Sequence, residues 1–161
     1  MKKESILFGL LRMALGWIFL WAFLDKLFGF GFATAVGKSW LDGVSPTLGF
    51  LKFGTQGPLA NFFHALAGNA VVDWLFMLGL LGVGLALILG VGLRVASIAG
   101  SMMMLFIWLS KLPPPQNPFL DEHIIYILIL LLMPTVNAGD WLGLGKWWSN
   151  TKLVKRFPLL K

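Results

Sequence analysis

Four apolar runs, each long enough or nearly long enough to cross a lipid bilayer, constrain this chain more than any other feature. They cover about residues 6–24, 72–91, 95–109 and 124–138. A bilayer core asks for about 20 mostly apolar residues per helix, within a range of about 17–25. The third and fourth runs are short, so they are expected to borrow flanking residues or to sit where the membrane is thin. Backbone polar groups in lipid must pair internally, so each span is expected to be helical. The fold class is therefore read as all-α: an integral membrane four-helix bundle, one domain over residues 1–161. Composition agrees, with 58% hydrophobic and 12% charged residues, against about 45–50% and about 25% in a soluble domain.

The first run is basic at its start and could pass for a signal peptide. It is too long and too aromatic for a typical apolar signal region, so it is read as a span. A formal net charge of +6 raises the question of nucleic acid, but the basic residues follow a membrane rule instead. Four spans put both termini on one side, with Lys2, Lys3, Arg94, Lys146, Lys152, Lys155, Arg156 and Lys161. The other side holds Lys26, Lys38, Lys52 and Lys111. The positive-inside rule then places both termini in the cytoplasm of a multi-pass cell-membrane protein. Trp141, Trp147 and Trp148 are expected at the inner interface, and Trp74 and Trp108 near the outer one. No cysteine is present, which removes disulfides, thiolate catalysis, iron–sulfur clusters and c-type haem attachment.

Between the second and third runs lies the short turn Gly92 to Arg94, so these helices are expected to be antiparallel neighbours. Gly82, Ala86 and Gly90 on one, with Ala96 and Gly100 on the other, are read as a close-packing seam of small residues. The outer segment 25–69 is too long for plain loop. Ser45-Pro46 and Gly57-Pro58 are helix-start signals. Leu59, Phe62, Phe63 and Leu66 then fall on one helix face. Two short interfacial helices capping the outer side are expected, as a structural cap or as a lid. Pro113 to Pro115 form a rigid link, and Pro134 should kink or end the fourth helix. Met102 to Met104 are read as packing residues.

Ionisable residues near the spans are functional candidates by default. Arg12, near the inner end, is read first as snorkelling to headgroups, and second as an inward group pairing with an acid or a polar ligand. At the outer ends, Asp25-Lys26, Asp73, Ser110-Lys111 and Asp121-Glu122-His123 are expected to gather carboxylates, lysines and a histidine into one small volume able to pass protons. Capping and the helix dipole account for most of these placements equally well. Metal is disfavoured, because Asp121, Glu122 and His123 are adjacent and should face apart. Haem on His64 and His123 is disfavoured because His64 lies in the cap.

The ordered set Leu11-Arg12, Leu15-Gly16, Asp25-Lys26, Ser45-Pro46-Thr47, Gly90-Val91-Gly92-Leu93-Arg94, His123-Ile124-Ile125-Tyr126 and Ala138-Gly139-Asp140-Trp141-Leu142-Gly143-Leu144 resembles the DoxX/DoxD-like membrane family over nearly the whole chain. The resemblance implies a four-helix membrane bundle. It also implies the membrane subunit of a thiosulfate:quinone oxidoreductase working with a DoxA-like partner, of which this chain has no recognisable portion. Joined to the charged outer ends, it implies Asp25, Asp73, Asp121 and His123 as catalytic groups, the aspartates handling protons and His123 holding a sulfur oxyanion with Lys26 and Lys111. Arg12, Lys26, Lys111, Trp17 and Trp21 would bind substrate, with Phe23 beside the tryptophans against a quinone ring. Quinone is the expected cofactor, with no metal, haem or iron–sulfur cluster. The expected partners are the bilayer, a DoxA-like subunit and further copies of the chain, but not nucleic acid. The alternative is a non-catalytic scaffold or accessory subunit. A transporter ranks last, since no inverted repeat is visible.

Overall fold

The computed structural model describes residues 3–161; Lys2, counted above among the basic residues, lies outside them. The described chain is helical throughout, without strands. Its main helices are α1 (Lys3–Phe28), α4 (Ala70–Leu89), α5 (Leu93–Ser110) and α6 (Glu122–Thr135). Between α1 and α4 lie the short α2 (Leu48–Phe53) and α3 (Ala60–Leu66). After α6 come a 3₁₀ turn at Ala138–Asp140, α7 (Gly145–Ser149), α8 (Lys152–Arg156) and a last 3₁₀ turn at Pro158–Leu160.

Helices α1, α4 and α5 are long and apolar enough to cross a membrane, whereas α6 has 14 residues. At 1.5 Å per residue α6 is about 21 Å long, short of the ~30 Å hydrocarbon core. The sequence run extends to residue 138, but the helix stops at Thr135. Pro134 supplies no N–H to the last turn, and Asn137 turns the chain with a positive φ of 49°.

α1 packs along α4 and α5 along α6, and α4 and α5 join the two pairs. The core between them is Leu15 and Phe19 from α1, Met77, Leu80, Val83 and Leu87 from α4, Met104 from α5, and Leu130 and Met133 from α6. The outward faces are equally apolar: Leu7 is 65% exposed, Leu75 67% and Leu128 59%. A water-soluble body does not leave such continuous apolar faces open. Lipid is their natural solvent.

The small-residue seam forms elsewhere than the spacing suggests. A Cβ built at Gly82 meets nothing within 4 Å, so this glycine faces an open groove rather than a neighbouring helix. The close approach is between α1 and α4. A Cβ at Gly84 would lie 2.8 Å from the Leu20 backbone nitrogen, and one at Gly16 would lie 2.9 Å from the Ile88 nitrogen. Gly100 is buried as expected, but against Val83, Leu130 and Phe19. The spacing of small residues marks several faces of α4, and only packing shows which of them closes.

The segment between α1 and α4 forms the cap, fastened to three helix ends. Trp40 N–H donates to the Lys26 carbonyl at 2.9 Å and Leu41 N–H to that of Leu27 at 3.4 Å, closing the end of α1. Gln56 N–H donates to the Ser110 carbonyl at 2.8 Å, closing the end of α5. The Gln56 side chain reaches the carbonyls of Lys111 and Pro113. Terminal carbonyls have no partner within their own helix, so these bonds stabilise cap and bundle together. Ser45 and Thr47 fasten the cap to α4. Their hydroxyls donate to Asp73 Oδ1 at 2.8 and 2.5 Å. The arrangement is that of a fixed cap. In α3 only Phe63 is buried. Phe62, read as part of the same face, is 55% exposed and packs edge-on against it.

Candidate functional site

The ends of the described chain, Lys3 and Lys161, lie at the bundle end opposite the cap, and there Arg12 occupies the centre. Its side chain is fully buried. Nε donates to the Ala138 carbonyl at 3.2 Å. Nη1 donates to the carbonyls of Leu87 and, at 2.9 Å, Ile88. Nη2 donates to those of Trp141 at 3.1 Å and Leu142 at 3.0 Å. A guanidinium has five N–H donors in a planar fork, and each has a carbonyl. Leu87 and Ile88 lie in the last turn of α4, where carbonyls lack helical partners and the dipole favours a cation. Leu89 takes its own bond from Leu144 N–H at 2.8 Å. The snorkelling reading of Arg12 is therefore corrected. Its charge stays inside because five carbonyls replace the headgroups. The inward alternative foresaw an acid or a ligand, and backbone fills that place.

At the cap end, the expected single cluster of charge resolves into separate nests. Asp25 is 1% exposed and accepts N–H bonds from Phe32 at 3.3 Å and Thr34 at 2.8 Å. It closes the loop that follows α1. Asp73, also buried, holds Ser45 and Thr47. Asp121 caps α6, accepting from His123 N–H at 3.0 Å. Like charges disfavour one another in a shared site, and each acid has found local donors instead. Lys26 lies beside the Phe76 ring, 6.0 Å from its centroid, and Lys111 beside Phe50 at 5.6 Å. Among the described residues, neither lysine forms an ion pair with a carboxylate within 4.0 Å.

One group does converge. His123 Nδ1 is 2.9 Å from Asp121 Oδ2 and 4.0 Å from Glu122 Oε1, and the ligand-capable atoms of all three lie within 4.8 Å of one another. The expectation that adjacent residues face apart fails here. Asp121 is the cap residue in extended backbone, so the side chains of Asp121 and His123 fold toward each other. The aromatic residues divide. Trp17 and Trp21 are neighbours at 5.7 Å, and Trp21 also meets Phe30 at 5.8 Å and Phe32 at 5.2 Å. Their faces turn outward, with Trp17 52% exposed. Phe23 instead packs against the core.

Residue types alone did not reveal three of these contacts. Ser45 carried a helix-start signal and Thr47 only its place in the family resemblance, yet both bind Asp73. Trp40 packs edge-on to Trp74, with ring centroids 4.6 Å apart. Ser39 clasps Asp42. Its hydroxyl at 2.6 Å and N–H at 3.0 Å hold the carboxyl below the usual carboxylate range. That clasp is present above the lowered value and is lost as pH falls through it.

Fold and apolar girdle define an integral membrane helical bundle with a fixed cap at one end. Residues 7–111, more than half of the chain, match the DoxX family, and the chain belongs to it. No curated protein and no solved structure matches this chain.

The Asp73 nest yields a double-mutant test in detergent. Asp73→Ala and Thr47→Val should each destabilise the protein, with losses that fail to add by about 1 kcal/mol. Thermal unfolding measures all three variants; additive losses would show that the two groups do not interact.

Proposed function

We propose that this protein is the membrane subunit of a quinone-linked oxidoreductase of the thiosulfate:quinone class, its substrates handled at the cap end. The observation that carries the reading is the His123–Asp121 pair. Asp121 engages Nδ1, which leaves Nε2 as the nitrogen able to give or take a proton. Both side chains are partly open, 12% and 15% exposed. Lys26 and Lys111 lie at the same end of the bundle and supply positive charge for a sulfur oxyanion.

In the proposed reaction, two thiosulfate ions join through a new sulfur–sulfur bond to give tetrathionate and release two electrons. A quinone takes both electrons and two protons to become the quinol. The protein's share is to hold the anions and deliver protons, the latter through His123 Nε2. The outward aromatic surface of Trp17, Trp21, Phe30 and Phe32 suits a flat apolar ring arriving from lipid. A DoxA-like partner completes the enzyme.

A second reading, a non-catalytic scaffold or accessory subunit, is supported by a specific observation. Arg12, Asp25 and Asp73 are occupied by backbone and hydroxyl partners within the chain, so these three act structurally and the catalytic set narrows to His123 and Asp121. The experiment that separates the readings gives the purified protein, with its partner, thiosulfate and a soluble quinone. Quinol and tetrathionate should form together. His123→Gln should lower the rate roughly 10²- to 10⁴-fold without altering assembly with the partner. Background rates in the parent complex would exclude the redox role. Turnover unchanged in the variant would remove His123 from it.

We also propose that the termini face the cytoplasm. Lys3, Arg94, Lys146, Lys152, Lys155, Arg156 and Lys161 share the terminal end, as the positive-inside rule requires. The chain contains no cysteine, so single-cysteine labelling is direct. In intact cells, Gln116→Cys should react with a membrane-impermeant maleimide and Lys155→Cys should not. The opposite pattern would reverse the orientation.

A further inference from the structure

The open groove between α4 and α5 has a volume of about 370 Å³ and an almost wholly apolar lining. Leu78, Gly82 and Ala86 form its α4 wall, and Val95 and Ala96 its α5 wall. At the terminal end it closes on Trp148 and Leu160. The last residues fold back there: Trp148 Nε1 donates to the Leu160 carbonyl at 2.5 Å and Arg94 N–H to the Lys161 carbonyl at 3.0 Å. Trp148 also lines a small cavity shared with Arg94, Lys161 and Asp140. The exposed Arg94 and Lys161 line that second cavity, which adjoins the terminal end of the groove at Trp148, a tryptophan of the kind that sits at headgroup level.

We propose that this groove is a site for an anionic phospholipid of the leaflet at the terminal end, one acyl chain lying along Gly82 and Ala86 and its phosphate held by Arg94 and Lys161. The chemistry at both ends of the groove selects this occupant. The walls offer contact and no polar partner, which an acyl chain satisfies. The cavity adjoining the groove at Trp148 offers cationic donors, and Arg94 spends one bond on the Pro158 carbonyl at 3.2 Å, leaving others for phosphate. Asp140 is the acid on that lining. A second copy of the chain fits less well. A two-fold pairing through the groove would bring Arg94 and Lys161 of each copy toward their equivalents, and like charges repel. The inference is independent of the redox reading.

Native mass spectrometry of the detergent-solubilised protein tests it, with phosphatidylglycerol and phosphatidylcholine as probes. The parent should retain one phosphatidylglycerol, with affinity roughly tenfold or more above that for phosphatidylcholine. Gly82→Leu, which points into open space and fills the groove, should abolish retention of both. The double variant Arg94→Gln/Lys161→Gln should bring phosphatidylglycerol down to the phosphatidylcholine level while sparing the latter. Equal retention of the two lipids by the parent would overturn the proposal, as would lipid binding indifferent to Gly82→Leu. A dimer that Gly82→Leu dissolves would assign the groove to a second copy and overturn it too.

Discussion

An arginine with every N–H spent on a backbone carbonyl governs the terminal end of this bundle. An uncompensated charge within a membrane span is costly. A helix end with unpaired carbonyls is costly as well. Arg12 cancels the two costs against each other. It lies two to three turns into α1, yet it terminates α4 and gathers the chain that leaves α6. One side chain thereby joins the first helix, the second span's end and the segment after the fourth.

The glycines around it follow from that geometry. Gly90 ends α4 with a φ of +75°, and a Cβ there would lie 2.9 Å from Gly139 and 3.2 Å from the Arg12 guanidinium carbon. A Cβ at Gly143 would sit 2.8 Å from Nη2 of Arg12. One at Gly9 would meet the Trp141 carbonyl at 2.9 Å. Three of the motifs that mark the family resemblance, around Arg12, Gly90 and Gly139, are far apart in the chain and meet at this one clasp. The other end is built on the same economy. Asp25 and Asp73 are buried acids whose donors come from the cap, and the cap in turn closes the ends of α1 and α5.

Spans were legible in the sequence because lipid asks each one for the same thing, length and apolarity, and both are written locally. The cap was legible from Ser45-Pro46 and from the length of chain that had to go somewhere. What the sequence withheld was pairing. Gly82 and Gly84 are two residues apart and equally small, but only one meets a neighbouring helix. Arg12 looked like a residue near a helix end, because nothing local says that carbonyls from positions 87, 88, 138, 141 and 142 will surround it. The outer acids were expected to pool. They divided, since a nearby hydroxyl or N–H is a better partner for a carboxylate than another carboxylate. Among the described residues, Asp121, Glu122 and His123 came together, beside a cap residue whose backbone is not helical.

The clasp therefore separates two kinds of charge in the molecule. Arg12, Asp25 and Asp73 hold the frame through partners within the chain, whereas Lys26 and Lys111 form no ion pair with a carboxylate among the described residues. The most direct measurement of the central claim is the unfolding free energy of Arg12→Lys in detergent. Lysine keeps the positive charge but has three donors at one point instead of five in a plane. If the carbonyl fan is what holds the terminal end, at least two buried carbonyls lose their partners and stability falls by at least ~2 kcal/mol. A lysine variant as stable as the parent would mean that charge alone suffices and that the five-bond clasp is not what the fold depends on.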